Sequence, residues 1–236
     1  MRLKFCRKIT PGLFLMLCNL ACFHAQAFWL LGFSNAFILP RHSVSFIGGT
    51  GGQFTDVGKP GSLSFTPFLA HAGIRVGVSK RIDWGYRLCT VAIPYSTVGP
   101  SLGAASDFKL RVTPDSSSWQ VSVVAGGAFS YLALKDQSRN AWSPGAAVII
   151  SHALGKGVIL SINGRYVYTG IMDAPGGEKN NNLTAIGGSI NVGFRLNQSV
   201  MMIPEVGIFK FNGMIYGNTL NGIGLQYGMI LACRIN

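Results

Sequence analysis

Residues 158–168 read VILSINGRYVY, residues 186–196 read IGGSINVGFRL, and residues 223–235 read IGLQYGMILACRI. Apolar side chains recur at every second position. In the first run Val158, Leu160, Ile162, Tyr166 and Tyr168 alternate with Ser161, Asn163 and Arg165. In the last, Ile223, Leu225, Tyr227, Met229, Leu231, Cys233 and Ile235 stand opposite Gln226, Gly228, Ala232 and Arg234. A period of two means a strand with one apolar and one polar face. Each run also has about the length, roughly 9–11 residues, at which a tilted strand crosses a bilayer. On a soluble sheet the polar face would carry many Lys and Glu. Here it carries Gly, Ser, Asn and an occasional Arg, which suits the confined interior of a barrel.

The composition agrees. The chain has 236 residues, 48% of them hydrophobic, 12% charged, with 31 Gly. Globular domains carry about 25% charged residues, so this surface is not mainly wet. Beyond the N-terminus no run approaches the ~18 uninterrupted apolar residues of a membrane helix. Low charge without long apolar runs is the signature of alternating, lipid-facing strands.

The N-terminus reads as a secretory signal. Arg2, Lys4, Arg7 and Lys8 lead, an apolar core spans 13–23, and Ala25-Gln26-Ala27 supplies small residues for cleavage. The expected division is a signal over 1–27, with cleavage as late as Ser34-Asn35-Ala36 as the alternative, and a barrel domain over 37–236. Without the four leading cations, sixteen Lys and Arg face eight Asp and Glu. That excess comes without a basic helix, a recognition motif or a basic-aromatic cluster, so nucleic acid is not an expected partner. The remaining cysteines, Cys89 and Cys233, fall on non-adjacent strands and opposite faces, which predicts no disulfide.

Ten candidate strands follow, at about 42–50, 66–79, 83–93, 106–113, 119–132, 141–154, 158–169, 183–196, 199–211 and 222–235. The connections alternate. Those at 80–82, 114–118, 155–157 and 197–198 are short; those at 51–65, 94–105, 135–140, 170–182 and 212–221 are longer and rich in Gly, Asn, Ser, Asp and Pro. Transmembrane barrels show this asymmetry between periplasmic turns and extracellular loops. Aromatic residues gather near strand ends, Trp84, Trp119 and Phe194 by the short turns and Tyr131, Trp142, Tyr168 and Tyr216 by the long loops. These are the expected two girdles at the membrane interfaces. The fold expected is an all-β, antiparallel, up-and-down transmembrane barrel of about ten strands, with eight as the alternative.

With this signal, strand pattern and final strand, the chain resembles the small outer-membrane β-barrel proteins of Gram-negative bacteria, the opacity-type and OmpW-like group. The resemblance implies a bacterial outer-membrane location, contact with outer-membrane lipid, and delivery by the barrel-assembly machinery. The last strand resembles the family's assembly signal but ends Ile235-Asn236 where an aromatic residue is usual.

The inward-facing set contains Arg75, Arg87, Lys109, Arg111, Arg165, Arg195 and Arg234, with Glu205 as the one acid well inside a strand. Asp83 is assigned to a turn, and Asp107 and Asp115 to loops. Seven cations against one acid predict a basic lumen, attractive to small anionic solutes, unless loop acids and water satisfy the arginines. The expected function is a small porin-like or structural surface protein. The alternative is an adhesin binding host or surface ligands through its long loops, above all 51–65 and 170–182. No catalytic, metal or cofactor site is expected. His42-Ser43 on a strand would face opposite sides, His152 lies on the outward parity, and no carboxylate pair is placed for acid–base work.

Overall fold

The computed structural model describes residues 30–56, 64–92, 101–134, 137–172, 181–215 and 218–235. Ten strands follow one another: β1 Val44–Thr55, β2 Ser64–Gly77, β3 Ile82–Ala92, β4 Ser101–Arg111, β5 Trp119–Leu134, β6 Gln137–Gly155, β7 Val158–Ile171, β8 Asn182–Arg195, β9 Val200–Ile215 and β10 Asn218–Ile235. Each pairs antiparallel with its sequence neighbour, and β1 pairs with β10 from Val44↔Ile235 to Thr55↔Gly224. The barrel is closed. Closure leaves no open edge, the condition for a sheet whose outer surface meets hydrocarbon.

The register turns the alternation into two environments. On β7, β8 and β9 the outward positions hold Ile162, Ile186, Ile190, Val206 and Ile208, all exposed, while Ser161, Asn163, Ser189, Asn191 and Glu205 are buried inside. Polar residues are the buried ones and large aliphatics the exposed ones, the inverse of a water-soluble protein.

Three expectations about the connections are corrected. Residues 137–140 continue β6 and pair with 131–134, and β9 and β10 pair up to Asn218↔Ile215. The connections expected at 135–140 and 212–221 therefore shrink to 135–136 and 216–217. The backbone ladders of β5–β6 and β9–β10 thus run on beyond the roughly 9–11 residues that a tilted strand needs to cross a bilayer. The Gly-rich start of the connection expected at 51–65 likewise belongs to β1, through a bulge between Gly51 and Gln53. Cys89 lies on β3 and Cys233 on β10, with β2 and β1 between them.

Candidate functional site

Barrels near eight strands are filled by their own side chains. In this ten-stranded wall the inward positions are small over long stretches (Gly126, Ala128, Gly145 and Ala147; Gly187 and Gly193), which leaves room along the axis. Residues 30–40 occupy it. In chain order the segment runs from Leu30, level with Gln226, toward the short-turn end, and the reversal from lumen to wall is made there at 40–43. There Ser43 donates both its N–H, at 3.0 Å, and its Oγ–H, at 2.6 Å, to Pro40 O, and His42 adopts a left-handed φ of 64°. Gly77 on β2 lets this turn close: a Cβ there would lie 2.8 Å from Leu39 O.

An extended segment in a barrel has no neighbouring strand to satisfy its backbone, so side chains of the wall must do so. Leu30 N–H donates to Gln226 Oε1 at 2.9 Å on β10. Gly32 N–H donates to Glu205 Oε1 at 3.2 Å on β9, and Phe33 N–H to Oε2 of the same carboxylate. Ala36 is held at both ends, its N–H donating to Ser151 Oγ at 2.8 Å on β6 and its carbonyl accepting from Ser122 Oγ at 2.7 Å on β5. Asn191 on β8 donates to Ser34 O at 3.0 Å, and Lys109 on β4 to Asn35 O at 3.0 Å and Phe37 O at 2.8 Å. Leu39 N–H reaches Asp83 Oδ2 on β3 at 3.4 Å. The barrel's interior serves as the segment's hydrogen-bond partner.

Packing adds to this. Leu30, Leu31 and Phe33 join Leu183, Ala185, Ile203, Phe209, Phe211 and Ile230 in one buried apolar cluster, and Phe33 stacks on His71 with ring centroids 5.0 Å apart. Phe33 has a φ of 45°, a region that bulky residues rarely enter. Such a conformation persists where surrounding contacts over-determine it, and here the carboxylate, the His71 ring and the cluster do so.

The charged residues behave differently from the sequence expectation. Asp83, assigned to a turn, is the second residue of β3, and Asp107, assigned to a loop, lies on β4; both are buried inside the barrel. Arg75 bridges them, with Nη1 2.5 Å from Asp83 Oδ1 and Nη2 2.5 Å from Asp107 Oδ1. Lys109 Nζ lies 3.2 Å from Asp83 Oδ2, and Arg87 Nη2 lies 3.7 Å from Asp107 Oδ2. Glu205 is therefore not the one acid inside. In the half of the barrel nearer the short turns Arg75, Arg87, Lys109 and Arg165 face three buried carboxylates, and the expected lumen of seven cations against one acid gives way to a paired network. A buried charge must be paired, since desolvating it alone costs several kcal/mol. Arg111 leaves this group: it pairs with Asp115 and donates to Lys80 O at 3.1 Å, both at the short turns. Arg195 and Arg234 also lie near the short-turn rim, Arg195 N–H donating to Gly157 O at 2.7 Å and Arg234 N–H to Ser199 O at 2.7 Å.

Two spaces flank the segment. A small one of about 80 Å³ lies against β3 to β7, lined by Arg87, Asp107, Gly126, Ser143, Gly145 and Arg165 among others. A larger one of about 480 Å³ opens at the short-turn end, between residues 32–40 and the walls of β7, β9 and β10.

On the outside, Trp119 and Trp142 are exposed, and Trp84, Tyr131 and Tyr168 are half-buried. Trp119 stacks on His152 at 4.6 Å, and His152 Nδ1 lies 2.9 Å from Ser118 O. Trp142 packs on Tyr168 at 5.4 Å, Trp84 Nε1–H donates to Ser106 Oγ at 2.8 Å, and Phe194 stands one residue before the end of β8. Tyr216 lies outside the described residues, as do 57–63 and 173–180 of the two loops singled out for ligand binding. Among the described residues, no three His, Cys, Asp or Glu side chains gather as a metal site.

No protein-family model matches the chain, and no curated protein matches its sequence. Solved structures do. A COG4313 outer-membrane channel from Pseudomonas putida F1 aligns over 86% of this chain and 100% of its own, at 11% identity and a TM-score of 0.50. LpxR from Salmonella typhimurium aligns over 79% and 99%, at 9% identity and 0.40. The NanC porin aligns over 79% and 98%, at 8% identity and 0.39. At these identities the likeness establishes the barrel fold and nothing finer, so it does not single out the opacity-type and OmpW-like group.

Proposed function

We propose that the protein is an integral bacterial outer-membrane barrel, a small channel whose conduit is held shut by its own residues 30–40. The observation that carries this reading is the segment's hydrogen bonding to side chains of β3, β4, β5, β6, β8, β9 and β10. A lumen lined for nonspecific hydration has no need of side chains matched to one chain's amides and carbonyls. Maturation after Ala27 belongs to the same proposal, because it keeps the segment, whereas cleavage after Ala36 removes most of it. Outer-membrane lipid around the apolar girdle and the barrel-assembly machinery are the partners proposed with it. A non-catalytic role fits the histidines. His71 stacks on Phe33 and His152 on Trp119, and His42 sits in the entry turn.

The test is conductance across a planar bilayer. The intact protein is expected to stay closed, and deletion of residues 30–36 to give steady ion-conducting steps. Migration of the unheated protein as a compact band on a denaturing gel checks that both forms are folded. An intact protein that conducts as well as the deletion variant would overturn the reading.

A further inference from the structure

The larger space beside the segment has two chemically distinct parts. Part of its inner wall is apolar: Ile159 on β7, Ile203 on β9 and Ile230 on β10 line it together with Phe37, Ile38 and Leu39 of the segment. Its rim is cationic. Lys156 sits in the turn between β6 and β7, Arg195 ends β8, and Arg234 lies near the end of β10. No Asp or Glu is among the described residues that line it. The deeper cations on the same wall, Arg75, Arg87 and Lys109, already have Asp83 and Asp107. Arg234 does not: its Nη2 reaches Gln198 O only at 3.4 Å, and its Nε is buried with no hydrogen-bond partner.

We propose that this chamber binds an amphiphilic anion, a carboxylate carried on an unbranched hydrocarbon chain, with the headgroup at Arg234, Arg195 and Lys156 and the chain lying against Ile159, Ile203 and Ile230. Each half of the site excludes a simpler ligand. An inorganic anion would pair the arginines but leave the apolar wall in contact with water, and a neutral hydrocarbon would fill the wall but leave Arg234 Nε without an acceptor. Charge-assisted hydrogen bonds to guanidinium favour a carboxylate at the rim. The volume, about 480 Å³, falls within the roughly 300–1,000 Å³ of pockets that enclose small organic ligands. The mouth faces the short-turn side, so the ligand arrives from the compartment that those turns face. This inference rests on the occluding segment, since residues 32–40 form one wall of the chamber.

The experiment is equilibrium dialysis of radiolabelled decanoate against the intact protein in lipid nanodiscs, with empty nanodiscs as reference. Mass spectrometry verifies that the purified chain retains residues 30–40. Saturable binding of one decanoate per protein is expected, with no saturable binding of acetate, and with decanol at least about tenfold weaker. Arg234→Gln is expected to weaken binding by about tenfold, Arg234→Lys to restore part of it, and Ile203→Trp to abolish it by filling the chamber. Equal binding of decanol, or decanoate binding unchanged in both Arg234→Gln and Ile203→Trp, would overturn the site. Conductance of the same preparation separates the two readings. A closed barrel that binds no decanoate removes the ligand and leaves the occlusion, whereas an intact barrel that retains residues 30–40 and conducts as well as the deletion variant removes both.

Discussion

The carboxylate of Glu205 on β9 receives the amide N–H of Phe33, a residue 172 positions earlier in the chain. The same group accepts from Gly32 N–H, Ser189 Oγ and Asn163 Nδ2. One inward acid thus fastens the lumenal segment to three strands of the wall, β7, β8 and β9.

Replacing Glu205 by Ala strips two amides of a charged acceptor, each worth about 1.5–3 kcal/mol. The segment is expected to leave the lumen more often. In a Cys89→Ser, Cys233→Ser background carrying Asn35→Cys, maleimide labelling should speed up by at least about tenfold. Equal labelling rates with and without Glu205 would mean that the apolar cluster alone fixes the segment.

Asp83 is fully buried and faces both Arg75 and Lys109. Asp83→Asn removes the charge from both, and breaking a buried pair from one side costs about 3–5 kcal/mol. The midpoint of guanidinium unfolding should fall accordingly. Adding Lys109→Met should recover part of the loss, because the two residues share one network and their effects are not additive.

The outer face is expected to be sensitive by depth. Ile208→Arg at mid-strand should cost about 2–4 kcal/mol in vesicle refolding titrations, and Leu196→Arg beside a short turn about 0–1 kcal/mol. Similar costs at both positions would contradict a membrane centred on the strands.

Intact-mass measurement of the exported protein should give a chain beginning at Phe28. A chain beginning at Phe37 would leave Gln226, Glu205 and Ser151 without the amides of Leu30, Gly32, Phe33 and Ala36.

The wall was legible in the sequence because a period of two survives any error in strand ends. What fills the wall was harder to read. Asp83 carries the same parity as Arg87 four residues on, and Asp107 the same as Lys109 two residues on, so alternation within the expected strands 83–93 and 106–113 places both acids inside. Both stand at the very start of those strands, where Asp is a common turn residue, and its turn preference outweighs parity in a reading by composition. Residues 30–40 gave no such signal. An apolar stretch that continues an export signal looks the same whether it is discarded or folds into a lumen. The distinguishing residues, Gln226, Glu205, Ser122 and Ser151, lie on the wall far along the chain.

The turn at 40–43 ties the segment directly to β1. An untethered peptide would occupy the lumen in proportion to its concentration in the compartment. A tethered one rebinds as an intramolecular event, at an effective concentration that short linkers set in the millimolar range. On the proposed function, the closed state is therefore independent of how much protein the membrane holds, and a soluble peptide of the same sequence is expected to compete poorly. After any displacement, the segment is expected to return to the lumen without a partner.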